Sequence, residues 1–277
     1  MSAVTQEICD TNKKLSNRVK EFIDNVSDVG EESITDFLVW QWKEIDSRFN
    51  AIKVSKFTKH QEHMLTGADF EMELWVISDT HATPLLFQAK KILKEHDSYL
   101  NKLRYKNNTS SQLQKLQNYS KTTNKVPYYM FYTSAEQIIN KCQEPYQDFG
   151  IFVMPADTVQ QLTTNKANTR LSKSQILSLS TPFHCFFCCP TQRGNYPIMP
   201  FKRLFCDRAP SKQATETVER NNLYPNYIKM ILNRNFTSSE MQNEISKNEL
   251  FQTEYIAVYD LRKSNKVNIL GYGAFSF

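Results

Sequence analysis

The sequence predicts an α/β fold, with a mixed β-sheet carrying helices on both faces. Three observations predict it. Apolar residues recur at helical spacing near the start, in 5–27 and again in 31–48. Three strand-like stretches follow, 51–59, 68–78 and 84–92, the last two reading as a hairpin. A polar-faced helix at 107–123 then leads into further apolar strands, so helices and strands interleave along the chain.

Each element has its own justification. In 5–27, Ile8, Leu15, Val19, Phe22, Ile23 and Val26 fit one helical face, and Gly30 interrupts the pattern. The second helix buries Ile34, Phe37, Leu38, Trp42 and Ile45, and two glutamates in its first turn suit the helix dipole. The helix at 107–123 carries Leu113, Leu116 and Tyr119, and VPYYMFYTS (126–134) is aromatic enough for a buried strand. A strand at 150–154 precedes a helix opening at Ala156–Asp157. Residues 164–180 and 207–222 are polar and give no clear element. A helix is expected at 223–235, and 254–260 with 267–276 reads as a terminal hairpin.

Composition narrows the function classes. With 277 residues, 40% of them hydrophobic and including 18 Phe and 13 Tyr, the chain can build a sizeable core. A net charge of +5 permits a polyanionic partner without demanding one. No apolar run approaches the ~20 residues of a membrane span. The N-terminal stretch lacks the apolar segment of a signal peptide, so a cytoplasmic chain with reduced thiols is expected for its six Cys. There are only 6 Gly, and neither GxxxxGK nor GxGxxG occurs, which argues against a glycine-rich phosphate loop.

The chemistry concentrates in TGADFEMELWVISDTHATPLLFQAKKI, residues 66–92. Carboxylates and lysine are poor strand formers, yet Asp69, Glu71 and Glu73 stand in one arm and Gln88 and Lys90 in the other. Read as an antiparallel hairpin turning near Thr80 and His81, it brings Lys90 within a residue or two of Asp69. Alternation puts Asp69, Glu71 and Glu73 on one face of their strand, and Gln88 with Lys90 on one face of theirs. A carboxylate with neighbouring oxygens suits a hard cation such as Mg²⁺. A lysine beside it can orient a water and offset charge on a phosphate.

At these residues the sequence resembles the PD-(D/E)xK nuclease superfamily. Gly67-Ala68-Asp69 corresponds to the first part of the signature, and Gln88-Ala89-Lys90 to the QxK variant of its Mrr-type branch. The resemblance implies a restriction-endonuclease-like α/β/α sandwich and a helix acid, Glu31 or Glu32. Glu31 lies beside the buried stripe of its helix, and Glu32 about 100° further round. Gln112 on the following helix also suits the layout. The wider chain, including GEESITDFLVW and STPFHCFFCCP, is similar to an uncharacterised bacterial family assigned to the same superfamily.

What the resemblance implies is a metal-dependent nuclease acting on DNA, in restriction or anti-phage defence, with RNA left open and no membrane partner. Mg²⁺ (or Mn²⁺) would be held by Asp69, Gln88, the Ala89 carbonyl and, through water, Glu31. Lys90 would position the water and stabilise the phosphate. Lys91, Lys94, Lys102, Arg104 and Gln112 would contact nucleic acid, and a homodimer would serve cleavage of both strands. The alternative is a catalytically decayed module of the same fold that binds nucleic acid or a protein; Gln88, where most relatives carry an acid, favours it. The expected organisation is a helical extension over 1–30, a nuclease core over 31–160 and an α+β elaboration over 161–277 packed on that core.

Plainer readings compete at several positions. Glu73 reads as part of the solvated face of a half-exposed strand. Lys90 and Lys91 suit the blunting of an edge strand. His60 and His63 suit surface or packing roles. Cys185-x-x-Cys188 has zinc-ligand spacing, with His184 or Cys206 able to complete a site. The interleaved Phe183, Phe186 and Phe187 favour a buried strand there.

Overall fold

The structure is a computed structural model. It describes residues 3–26, 28–49, 52–56, 70–77, 82–94, 97–104, 106–107, 110–134, 149–165, 167–185, 224–234, 236–247 and 253–260. Helix α1 (Ala3–Asn25) and helix α2 (Glu31–Phe49) lead into strand β1 (Ile52–Lys56). The hairpin β2 (Phe70–Ile77) and β3 (Ala82–Lys91) follows, then a one-turn helix α3 (Leu100–Leu103). The short pair β4 (Lys106–Asn107) and β5 (Ser110–Ser111) leads into helix α4 (Gln112–Thr123) and strand β6 (Val126–Tyr132). Strand β7 (Ile151–Pro155), helix α5 (Ala156–Thr164), helix α6 (Lys173–Leu179) and strand β8 (Thr181–Pro182) come next. Helices α7 (Asn226–Asn233) and α8 (Ser238–Ser246) and strand β9 (Thr253–Asp260) complete the order.

The strands make a mixed seven-stranded sheet in the order β1-β9-β2-β3-β6-β7-β8. β2 runs parallel to β9 and β3 parallel to β6, and the other neighbours are antiparallel. Alternation along the strands divides two layers of core. Leu74, Phe87, Ala89, Met130 and Ala257 face α1 and α2, packing on Leu15, Val19, Ile34, Leu38 and Trp42. On the opposite face Leu86, Tyr129, Phe131 and Phe152 meet residues of α3 to α6. Trp75, Ile77, Ile256 and Val258, on that same face, are covered by α7 and α8. The expected α/β sheet with helices on both faces is therefore present.

Local chemistry explains several boundaries. Ser111 caps α4 in a reciprocal capping box with Gln114, and Asn124 ends the helix at φ 52, the left-handed conformation that Asn tolerates. The same box recurs at Ser172–Gln175 before α6 and Thr237–Glu240 before α8. Gly150 sits where β7 passes α1. A Cβ there would come within 2.4 Å of the Lys20 nitrogen, and the Gly150 N–H donates to Ser16 O at 3.0 Å.

Two expectations need correction. Part of the 161–277 segment is inside the sheet rather than packed on it. β9 runs between β1 and β2, paired with both, because its buried run Tyr255–Tyr259 needs neighbours on both edges. The partners of 254–260 are thus β1 and β2, while 267–276 lies outside the described residues. In addition, the stretch 164–180, read as polar, holds the short helix α6, whose buried face is Ile176 and Leu177.

Candidate functional site

β2 and β3 pair with Met72 opposite Phe87 and Glu73 opposite Leu86. This register sets the start of β2 beside the Gln88–Lys90 end of β3. Even-numbered positions of β3 share the face of Leu86, so Gln88 and Lys90 lie together there, buried at 2% and 7% exposure. Continuing β3, the Ile92 N–H donates to Tyr132 O at 2.8 Å, so the site stands at the C-terminal ends of two parallel strands.

Glu31 reaches this end from the first turn of α2. Its Oε1 accepts the Lys91 N–H at 2.8 Å and lies 2.7 Å from Lys102 Nζ. Its Oε2 lies 3.6 Å from Lys90 Nζ. The helix start is anchored by Thr35, whose hydroxyl donates to Glu31 O at 3.1 Å and meets the Tyr132 hydroxyl at 2.9 Å. Burial works against the charge on Glu31, but Lys90, Lys102 and the Lys91 N–H outweigh it and hold its carboxyl below the usual carboxylate range. Glu32 points to the exposed face of α2, so of the two expected acids Glu31 is the one at the end of β3.

Two polar atoms here are buried and unpaired. Gln88 Oε1 has no hydrogen-bond partner, while its Nε2 makes only a long contact of 3.5 Å to Ala89 O. Gln112, the first residue of α4, likewise keeps a buried, unpartnered Oε1, and α4 packs on β3 and β6. Among the described residues, Lys90 Nζ has Glu31 Oε2 as its one polar partner. The unpaired Gln88 Oε1 is an oxygen donor of the kind a hard cation takes, whereas both Glu31 oxygens face lysines. No group of three or more His, Cys, Asp or Glu that could hold a metal occurs among the described residues.

The remaining expected residues are placed as follows. Asp69 immediately precedes β2 but lies outside the described residues, as do His60 and His63. Lys91 donates from Nζ to Val29 O at 2.5 Å, tying β3 to the turn before α2. Lys102 also donates to Lys91 O at 2.8 Å. The Arg104 Nε donates to Thr163 O at 2.6 Å. Three of the basic residues expected on nucleic acid are thus engaged within the fold, while Lys94 is exposed. Cys185 is buried, its Sγ 3.6 Å from His184 Nε2, and the His184 ring stands 4.5 Å from that of Phe149. Cys188 and Cys206 lie outside the described residues.

Glu73 overturns its solvated reading. It is fully buried, ion-paired with Lys125, and accepts hydrogen bonds from the Trp75 indole and, at 2.7 Å, from the Tyr227 hydroxyl. Burial and then the Glu73 charge push the Tyr227 hydroxyl well above its usual range, so it remains a donor. Burial alone would favour a neutral Lys125 amine. Glu73 and Tyr119 outweigh it and hold the amine above its usual range.

Fold and site define an α/β protein with an acid–lysine centre at the C-terminal end of a parallel strand pair. The chain belongs to the family of unknown function DUF6615, whose model matches residues 8–265. No curated protein and no solved structure matches it. No helix among the described residues is long and apolar enough to cross a membrane.

Proposed function

We propose that the chain is a metal-dependent nuclease hydrolysing phosphodiester bonds in DNA, of the PD-(D/E)xK type that its QxK strand resembles. One observation carries the reading. A buried amide oxygen, Gln88 Oε1, is left without a hydrogen-bond partner on the face of β3 that also carries the buried Lys90, whose amine faces the Glu31 carboxylate. Leaving such a group unpaired costs stability, which is expected where a ligand completes the site.

In this mechanism Gln88 and, through water, Glu31, with Asp69 from the chain just before β2, would hold the cation. The chemistry that Mg²⁺ or Mn²⁺ would supply there is Lewis acidity towards the phosphate and a bound water of lowered pKa. Lys90 donates to the attacking water and to the non-bridging phosphate oxygen, where negative charge grows in the transition state. Glu31, 3.6 Å from it, aims the Lys90 amine. The restriction-endonuclease-like character of the sheet, the dimer and a role in defence belong to this same proposal.

The test is incubation of the purified chain with plasmid DNA, with and without Mg²⁺ or Mn²⁺. Divalent-dependent nicking is expected, and Gln88→Glu should retain or raise it by adding a charged ligand. Binding without cleavage under every metal would favour the decayed module, the reading that Gln88 in place of an acid supports.

A further inference from the structure

Lys102 stands in a basic stretch that reads as a phosphate-contacting surface, but its amine is committed elsewhere. Nζ lies 2.7 Å from Glu31 Oε1 and donates to Lys91 O at 2.8 Å. We propose that Lys102 is a positioning residue, holding the Glu31 carboxylate against the end of β3 with Oε2 turned to Lys90, and is not a nucleic-acid contact. This rests on the reading of Glu31 and Lys90 as working groups.

The geometry supports it from three sides. Oε1 of Glu31 is held twice, by Lys102 and by the Lys91 N–H at 2.8 Å, which leaves Oε2 as the oxygen facing Lys90. The turn that carries Lys102 is itself fixed. Leu100 and Leu103 of α3 are buried on either side, and the Tyr99 hydroxyl donates to Lys94 O and accepts the Lys94 N–H. The Lys91 side chain closes the arrangement by holding Val29 O, one residue before Gly30. Among the described residues the charged groups facing Glu31 are Lys90 from β3 and Lys102 from α3, while Glu32 on its own helix is exposed. A lysine that contacts phosphate contributes through counterion release and leaves a salt-dependent signature. One that fixes a carboxylate does not.

The experiment compares the wild type with Lys102→Met and Lys102→Arg by three measurements. These are hydrogen exchange at the Lys91 amide, the salt dependence of binding to a duplex oligonucleotide, and kcat and KM for cleavage with Mg²⁺. In Lys102→Met the Lys91 amide should exchange about tenfold faster, while the Tyr129–Phe131 amides of β6 keep their protection. The salt slope should be unchanged, and kcat should fall about a hundredfold at constant KM for DNA. Lys102→Arg, which keeps a cationic donor, should restore the exchange rate and kcat towards wild type. Unchanged Lys91 protection, or a salt slope smaller by about one as for a lost phosphate contact, would overturn the assignment. Exchange needs no turnover, so if the wild type never cleaves, the nuclease reading fails and the positioning role is still decided. Should Lys102→Met unfold β6, Lys102→Gln is read by the same outcomes.

Discussion

Two glutamate–lysine pairs stand on the sheet, and they are built differently. Glu73 and Lys125 are 0% and 5% exposed, and Tyr227, Trp75 and Tyr119 complete their hydrogen bonding. They lie where the core under α3 to α6 meets the core under α7 and α8, with Tyr119 from one and Tyr227 and Trp75 from the other. The Glu31 and Lys90 side chains are 23% and 9% exposed and stand 3.6 Å apart, and the unpaired amide oxygen of Gln88 belongs to the same face of β3 as Lys90. A buried charge pair that is fully satisfied ties elements together, and removing one partner strands the other. A pair held apart with spare donors and acceptors invites a ligand. The first pair is a joint of the fold and the second is its candidate active centre.

The largest expected effect is at the joint. Lys125→Met leaves the Glu73 carboxylate buried without its cation and should cost about 3–5 kcal/mol, read from urea denaturation. Lys90→Ala should do the reverse. Cleavage should fall by about a thousandfold or more, with DNA affinity and the urea midpoint close to wild type, because its proposed work is done in the transition state. Equal behaviour of these two variants in both assays would erase the contrast.

Smaller changes sharpen it. Tyr227→Phe removes one charge-assisted hydrogen bond from Glu73 and should cost about 1.5–3 kcal/mol, by the same denaturation. Glu31 supplies the pH dependence. Its folded pKa lies below the ordinary value of 4.5, so its contribution is present above that value and is lost as pH falls through the lower folded one. Wild type should therefore lose stability over that acid window more steeply than Glu31→Gln, measured as urea midpoints at stepped pH.

Much of the Glu31–Lys90 pair is legible in the chain because it depends on short-range rules. Alternation in β2 and β3 sets Gln88 and Lys90 on one face, and helical spacing from Ile34 and Leu38 brings Glu31 rather than Glu32 towards the sheet. The joint is not legible in this way. Glu73 looks like an exposed strand acid because its partners come from 52 and 154 residues away, and no local pattern announces a buried lysine after a helix cap. β9 escapes for the same reason. Its place between β1 and β2 is a long-range pairing reached across a polar stretch. The basic run from Lys90 to Arg104 misleads in the other direction. Charge alone suggests a solvated binding surface, whereas Lys91, Lys102 and Arg104 spend donors on the carbonyls of Val29, Lys91 and Thr163.

The most direct measurement of the central claim is plasmid nicking by wild type and Lys90→Ala, side by side in Mg²⁺ and Mn²⁺, on preparations with matched urea midpoints. The account predicts divalent-dependent nicking by the wild type and its loss in Lys90→Ala. Equal nicking by the two proteins would contradict it.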